Sequence, residues 1–236
     1  MTILNIETST TCCSAAITID GVAVASVENL AGANHASELP IFIEQLLQKA
    51  KTNNWKLDAV ALSQGPGSYT GLRIGASTAK GICYGLNIPL IPIDTLQVLC
   101  AVATDSLQTI SESNALLCPM LDARRMEVYT ALYNQELGNA FVARTEVQAK
   151  IINEEAFMDD LAERSIYFFG NGAAKCQSVI THPNAHFMDN ILPQAKCMGK
   201  LAEMQTNLLD VKQMAYYEPF YLKEFVAAPS HIKGLR

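Results

Sequence analysis

The stretch SQGPGSYTGLRIGASTAKG, residues 63–81, holds five glycines behind an apolar run and ahead of a helical pattern. Glycines between a strand and a helix can let backbone amides close on a phosphate. The specific phosphate motifs are absent, however. Walker A needs Gly-Lys-Ser/Thr, and Lys80 lies well downstream on the helix. Gly65, Gly67 and Gly71 give G-x-G-x-x-x-G, one residue too long for the dinucleotide fingerprint. Gly67 directly precedes Ser68, which defeats the G-x-S-x-G nucleophile elbow. Two carboxylates also stand out: Glu7 and Asp122 each end a strand-like run and could face each other across a cleft. Such a pair holds magnesium or works as acid and base. His182 and His186 have the spacing of two ligands on one helix face, yet Pro183 interrupts that helix and no H-E-x-x-H glutamate is present. No metal site is assigned. Arg124 and Arg125 can clamp an anion or pair with an acid such as Glu127, and His35 can cap the helix that follows it or touch a partner.

From Thr70 to Leu86 the only charges are Arg73 and Lys80. Gly71, Gly75, Ala76 and Ala79 fall on neighbouring turns and form a flat strip, with Leu72, Ile74, Ile82 and Leu86 supplying apolar area around it. A glycine inside a helix costs roughly 0.5–1 kcal/mol relative to alanine, so this helix must recover the loss through packing. Three uses stay open: packing against the chain's own sheet, a surface for a second protein, and phosphate binding by the loop amides.

The elements that must position these residues follow one order twice. ILNIET (3–8) and CSAAITID (13–20) read as strands, and GVAVASVEN (21–29) follows the Asp20-Gly21 turn signal. SELPIFIEQLLQKA (37–50) has helical spacing at Leu39, Ile43, Leu46, Leu47 and Ala50, with Ser37 as the expected N-cap. LDAVALS (57–63) is a buried strand, the glycine stretch a turn and helix, and IPLIPID (88–94) a further strand. The second half offers strands at 115–122, 127–134 and 140–148, a helix at 153–165, a strand at 166–170, a turn and helix at 171–180, a strand at 185–189 and a last helix at 194–208. Segment 95–112 reads as mostly helix and joins the halves. The expected fold is α/β: two ribonuclease-H-like lobes of the actin and sugar-kinase type, each β-β-β-α-β-α-β with a mixed sheet, divided as residues 1–101 and 102–236. A cleft is expected between them, beside the ends of the two first strands.

Composition narrows the function. Half the 236 residues are hydrophobic, which is ample for a core, and no run of 18 apolar residues suggests a membrane span. The start carries Glu7 where a secretory signal needs a basic end and an apolar run, so a cytoplasmic protein is expected. Seven cysteines with no repeated spacing make a poor disulfide framework. Seventeen basic against 23 acidic residues give a net charge of −6, unsuited to binding RNA alone, since that requires neutralising phosphates. The C-terminal HIKGLR reads as a mildly basic, solvated end.

These residues carry a resemblance. DAVALSQGPGSYTGLRIGASTAKGICYGLNIPLIPIDTLQVL (58–99) closely resembles the matching segment of bacterial TsaB (YeaZ-type) proteins, of the actin-like/sugar-kinase superfamily. ILNIETST (3–10), NHASELP (34–40), LDARRMEVYTALY (121–133) and EPFYLKE (218–224) look like that family's other landmarks, in the same order. The resemblance implies a partner subunit, not itself an enzyme, in making N6-threonylcarbamoyladenosine on tRNA. A TsaD-type paralogue would carry the transferase chemistry, a TsaE-type ATPase would join them, and tRNA would be reached only through the complex. The TsaD family follows its glycine block with NH-x-x-GH, whose histidines bind a metal; laid on this chain, those positions are Thr95 and Leu99. The superfamily's phosphate hairpins also look eroded, since the first reads IETSTTCC and the second LDARRME. Glu7, Thr8, Asp122, Gly170 and Gly172 are then the residues of a residual nucleotide cleft, with no cofactor held tightly and ATP or ADP confined to an interface with partners. The expected partner surface is Leu39, Ile43, Leu46, Gly71, Leu72, Ile74, Gly75, Ala76, Ala79 and Ile82, which would also pair two copies of the chain when it is alone. A small-molecule kinase using the cleft is the alternative.

Overall fold

The first three strands run antiparallel: β1 (Thr2–Glu7), β2 (Cys13–Ile19) and β3 (Val22–Asn29). Asp20 and Gly21 make the turn between the last two at φ 48° and 77°, as their types require. α1 (His35–Thr52), β4 (Ala59–Gly65), α2 (Tyr69–Leu86) and β5 (Leu90–Asp94) follow, with β4 parallel to both β1 and β5. The sheet order is β3-β2-β1-β4-β5. This computed structural model describes residues 1–32, 34–106, 114–136 and 140–223. HIKGLR, Glu224 of the EPFYLKE landmark and the end of segment 95–112 lie outside them. α1 starts two residues before the expected cap. Asn34 holds the cap position without a side-chain bond, and Ser37 sits in the first turn, its hydroxyl donating to the Asn34 carbonyl at 3.1 Å.

α3 (Thr95–Ser106) leads into the second lobe. There β6 (Leu116–Asp122) lies parallel to β11 (Ile166–Phe169), and β11 to β12 (Ala185–Met188). The two strands expected at 127–134 and 140–148 are each broken. β7 (Glu127–Thr130) and β8 (Tyr133–Gln135) both pair with β6, while β9 (Phe141–Ala143) pairs with β8 and β10 (Gln148–Ile151) with β7. The expected helix 153–165 shrinks to α4 (Met158–Glu163), because Phe157 takes a left-handed φ of 64° to bring its ring within 5.4 Å of Phe168. The helix expected at 171–180 is a 3-10 turn at Ala174–Cys176. The last expected helix divides into a 3-10 turn at Ala195–Cys197 and α5 (Gly199–Met204), and α6 (Val211–Ala215) follows beyond its expected end. Both sheets are mixed, and the architecture is the two-lobed α/β fold expected.

Both faces of each central strand are buried, which is why β1, β4 and β6 read as nearly continuous apolar runs. One face of the first sheet packs on α1 and α2 through Leu4, Ile6, Leu39, Leu46, Val60 and Leu62. Its other face joins the second sheet in a shared core, where α3 contributes Leu96, Leu99 and Val102 between Ile3, Ile93, Leu117 and Phe169. A third cluster, around Phe157, Leu161 and Phe168, lies on the far side of the second sheet. The division at 101 and 102 needs correction. Those residues sit inside α3, and the chain returns to the first lobe near its end. Ala195 N–H donates to Ser14 Oγ at 2.9 Å, Leu209 bridges Leu90, and Met214 is buried with the α1–α2 core. Among the described residues, no helix is long and apolar enough to cross a membrane.

Candidate functional site

The glycine stretch closes on its own chain. A Cβ at Gly67 would collide with Ser9, at Gly71 with the Thr8 carbonyl and at Gly75 with the Thr8 hydroxyl. The gap they leave is filled by polar bonds: Ser68 N–H donates to the Ser9 carbonyl at 2.6 Å, and Thr8 Oγ1 donates to the Gly71 carbonyl at 2.8 Å. Packing on the chain's own sheet, one of the three uses left open for the strip, is what these contacts do. Leu39, Ile43, Leu46, Gly71, Leu72, Gly75, Ala76 and Ala79 are all buried within the first lobe. That corrects the expected partner surface: these eight hold α1 and α2 to the sheet, and of them the edges of Ile43 and Ala76 reach a surface groove. Ile74 and Ile82 are only half-buried. With Pro40, Ile43, Glu44, Leu47, Gln48, Lys51 and Thr78, Ile82 lines a shallow groove of about 480 Å³ between the outer sides of the two helices. Ile41 stands beside it, half exposed.

The expected cleft exists. It measures about 630 Å³ and is walled by the loop after β1 (Ser9, Thr10, Thr11), the first residues of α2, the end of β6 (Leu121, Asp122) and residues 221–223. Glu7 and Asp122 do not meet in it. The Glu7 side chain is wholly buried under the loop, where Oε1 accepts from Ser9 N–H at 2.6 Å and from Ser9 Oγ at 2.5 Å. Its Oε2 has no partner. Burial pushes this carboxyl above its ordinary pKa, an effect the Ser63 and Ser9 hydroxyls only partly offset. The ordinary state of Glu7 is therefore shifted toward the neutral acid. Asp122 lines the cleft but is committed to Lys175 in an ion pair and accepts from Arg124 N–H at 3.1 Å. Gly170 and Gly172 are spent as Gly67 and Gly71 are, on close approach to the backbone of Met120 and Leu121. Asn171, between them, accepts from Asp122 N–H at 2.9 Å.

Arg124 and Arg125 turn the chain at φ 72° and 50°, a conformation more natural to glycine. Neither takes Glu127, whose Oε2 lies 2.5 Å from Lys223 Nζ. His35 does not cap α1 with its side chain; its Nε2 is 3.0 Å from the Cys12 carbonyl, and it lines the cleft. His182 and His186 part company, the first accepting from Asn184 N–H at 3.2 Å and the second stacking on Tyr167. The residues missed in the sequence are Lys175, Asn171, Tyr69 and Tyr221. Asn171 and Lys175 lie in a turn read as the start of a helix, and the two tyrosines meet across more than 150 residues of chain, at 4.9 Å. No local spacing could report that contact.

Thr95 and Leu99, opposite the metal histidines of the resembled transferases, are both wholly buried. Thr95 Oγ1 lies 2.8 Å from Ser63 Oγ and accepts from Gly65 N–H at 3.1 Å. Leu99 belongs to the core shared by the two lobes.

The family described as TsaD, tRNA N6-adenosine threonylcarbamoyltransferase, matches residues 26–229. The chain is similar to the tRNA threonylcarbamoyladenosine biosynthesis protein TsaB of Haemophilus influenzae, 29% identical over 231 residues that cover 96% of this chain and 95% of that one. The protein of the same description from Escherichia coli is 33% identical over 136 residues, 58% of this chain and 56% of that one. Among solved structures, YeaZ from Pseudomonas aeruginosa is 25% identical, with a TM-score of 0.78 over 94% of this chain and 99% of that one.

Proposed function

The chain belongs to the TsaD family of tRNA N6-adenosine threonylcarbamoyltransferases and stands with its TsaB (YeaZ-type) members, and from that premise we propose that it is a subunit without a catalytic site of its own. It works in tRNA threonylcarbamoyladenosine biosynthesis, as its TsaB-named relatives do. The observation that carries the finer reading is the fate of Thr95 and Leu99. A hydroxyl and an isobutyl group cannot replace two imidazoles as ligands for a transition metal. Here the hydroxyl is moreover spent on Ser63 and Gly65, and the isobutyl group on the core. Glu7 buried and Asp122 bound to Lys175 weigh against a kinase in the cleft.

The docking surface is the outer groove between α1 and α2, with Ile82 and Leu47 as its apolar contacts and the half-exposed Ile41 on the same helix as Leu47. Its partner is a TsaD-type paralogue presenting the equivalent pair of helices. Two copies of this chain use the same groove when that partner is absent. The assembled pair docks the TsaE-type ATPase and reaches tRNA, and any ATP or ADP sits at the interface of the partners.

Reconstituted tRNA modification from purified TsaD-type and TsaE-type proteins should require this chain. Ile41→Glu and Ile82→Glu should each weaken capture of the TsaD-type protein about tenfold or more, as expected for a buried apolar contact at the centre of an interface. Modification that proceeds undiminished without the chain, or capture unchanged by both variants, would sink the reading.

A further inference from the structure

Beyond α6 the described residues touch both lobes. Phe220 N–H donates to the Gln64 carbonyl at 2.8 Å, and its own carbonyl passes so close to Gly65 that a Cβ there would strike it. Tyr221 then lays its ring on Tyr69, the first residue of α2, at 4.9 Å and a tilt of 42°. Two residues later Lys223 reaches across to the second lobe and pairs with Glu127 at 2.5 Å. Tyr221, Leu222 and Lys223 together form one wall of the cleft.

We propose that residues 218–223 are a strap tying the two lobes across the mouth of the cleft, with the Lys223–Glu127 pair as its point of release. The inference is independent of any partner at the α1–α2 groove. The two anchors differ in kind. On the first lobe the strap is held by a backbone hydrogen bond, a ring contact and the buried Met214 of α6 just before it. On the second, among the described residues, it is held by one ion pair, whose side chains remain 48% and 21% exposed. A pair so open to water contributes a factor of about five or less, so opening starts at Lys223 and loosens the Tyr221 and Phe220 contacts behind it, while α6 stays docked. Glu127 is itself fixed: its carbonyl accepts from Lys175 at 2.7 Å, and Lys175 pairs with Asp122 on the cleft floor. Release of Lys223 therefore frees the strap without dismantling the lobe it leaves. It uncovers the Tyr69 face of α2.

Hydrogen exchange on the full chain tests this. Lys223→Gln and Glu127→Gln should each speed amide exchange about threefold or more at Phe220 and Tyr221, whose N–H groups are hydrogen-bonded in the strap. The double variant should exceed neither single one, since both remove the same bond. Raising salt from about 0.1 to about 1 M, which shortens the screening length from about 10 to about 3 Å, should reproduce the effect in the parent and leave Lys223→Gln unmoved. Unchanged exchange in both single variants, or effects that add in the double, would overturn the strap. So would a rise of equal size throughout the core, which would place the change in global unfolding.

Discussion

Around Gly71 and Gly75 a Cβ meets Thr8, whereas around Gly81 and Gly85, on the same helix, nothing lies within 4 Å. One residue type thus stands in α2 for two unrelated reasons. Gly71→Ala forces backbone against backbone and should destabilise the fold by about 1–3 kcal/mol, as overpacking does. Gly81→Ala and Gly85→Ala should each stabilise it by about 0.5–1 kcal/mol, the helix penalty of glycine. Urea titration of the three variants checks the sign at each site; a Gly71→Ala as stable as the parent would refute the contact. Glu7 supplies the pH-dependent counterpart. Its carboxyl is raised from 4.5 by burial, so the folded chain holds that proton more tightly than the unfolded one. The stability it contributes is present in full below about pH 4.5 and is lost as pH rises through the folded value. Asp94, raised from 3.8 to about 6 by burial, slopes the same way, so Glu7 is read from the difference between variant and parent. Glu7→Gln keeps the shape without the charge, and its stability relative to the parent should climb as pH rises above about 4.5. Parallel curves would show that Glu7 is not the buried acid described.

At the scale of elements, the first lobe was legible and the second only in part, for a physical reason. β1, β4 and α1 are each fixed by local pattern: continuous apolar runs for strands buried on both faces, and the Leu39–Ile43–Leu46–Ala50 spacing for a helix buried on one. The Asp20-Gly21 turn is likewise a property of two neighbours. In the second lobe the breaks are imposed from outside. β7 and β8 part at Ala131 and Leu132 so that each can pair with a different end of β6, which leaves no mark in a run as uniformly strand-like as EVYTALYN. Phe157 makes the expected helix start late because its ring has a place beside Phe168 and under the Lys150 ammonium. The candidate site divides the same way. The cleft followed from the order of elements, and its carboxylates, arginines and glycines were visible as types. Their partners were not: Lys175 for Asp122, Lys223 for Glu127 and Thr8 for the glycine strip all come from remote chain. Amphipathic spacing also identified the buried side of α1 and α2 without saying which side a partner would see.

For the whole molecule the decisive feature is that, besides a core of its own on each outer face, the two lobes share a third between their sheets. α3 lies between the two sheets, and residues 191–217, late in the chain, complete the first lobe. Two lobes built as independent units would unfold in two steps. A core that draws Ile3, Ile93, Leu99, Leu117 and Phe169 into one cluster couples them instead, because separating the sheets exposes apolar area on both at once. Calorimetry of the full chain should therefore give a single transition whose calorimetric and van't Hoff enthalpies agree. Leu99→Ala, at a wholly buried position in that cluster, should cost about 2–5 kcal/mol and lower the Tm by roughly 5–15 °C at the slope expected for this size. Both lobes should register the loss equally. Trp55 packs at the edge of the first-lobe core and is the only tryptophan in the chain, so its fluorescence follows that lobe, while amide exchange along Leu116–Asp122 follows the other. Two resolved transitions, or a Leu99→Ala variant that loosens one lobe and spares its neighbour, would mean that the shared core does not bind them, and the strap at Lys223 would then have to hold the lobes together alone.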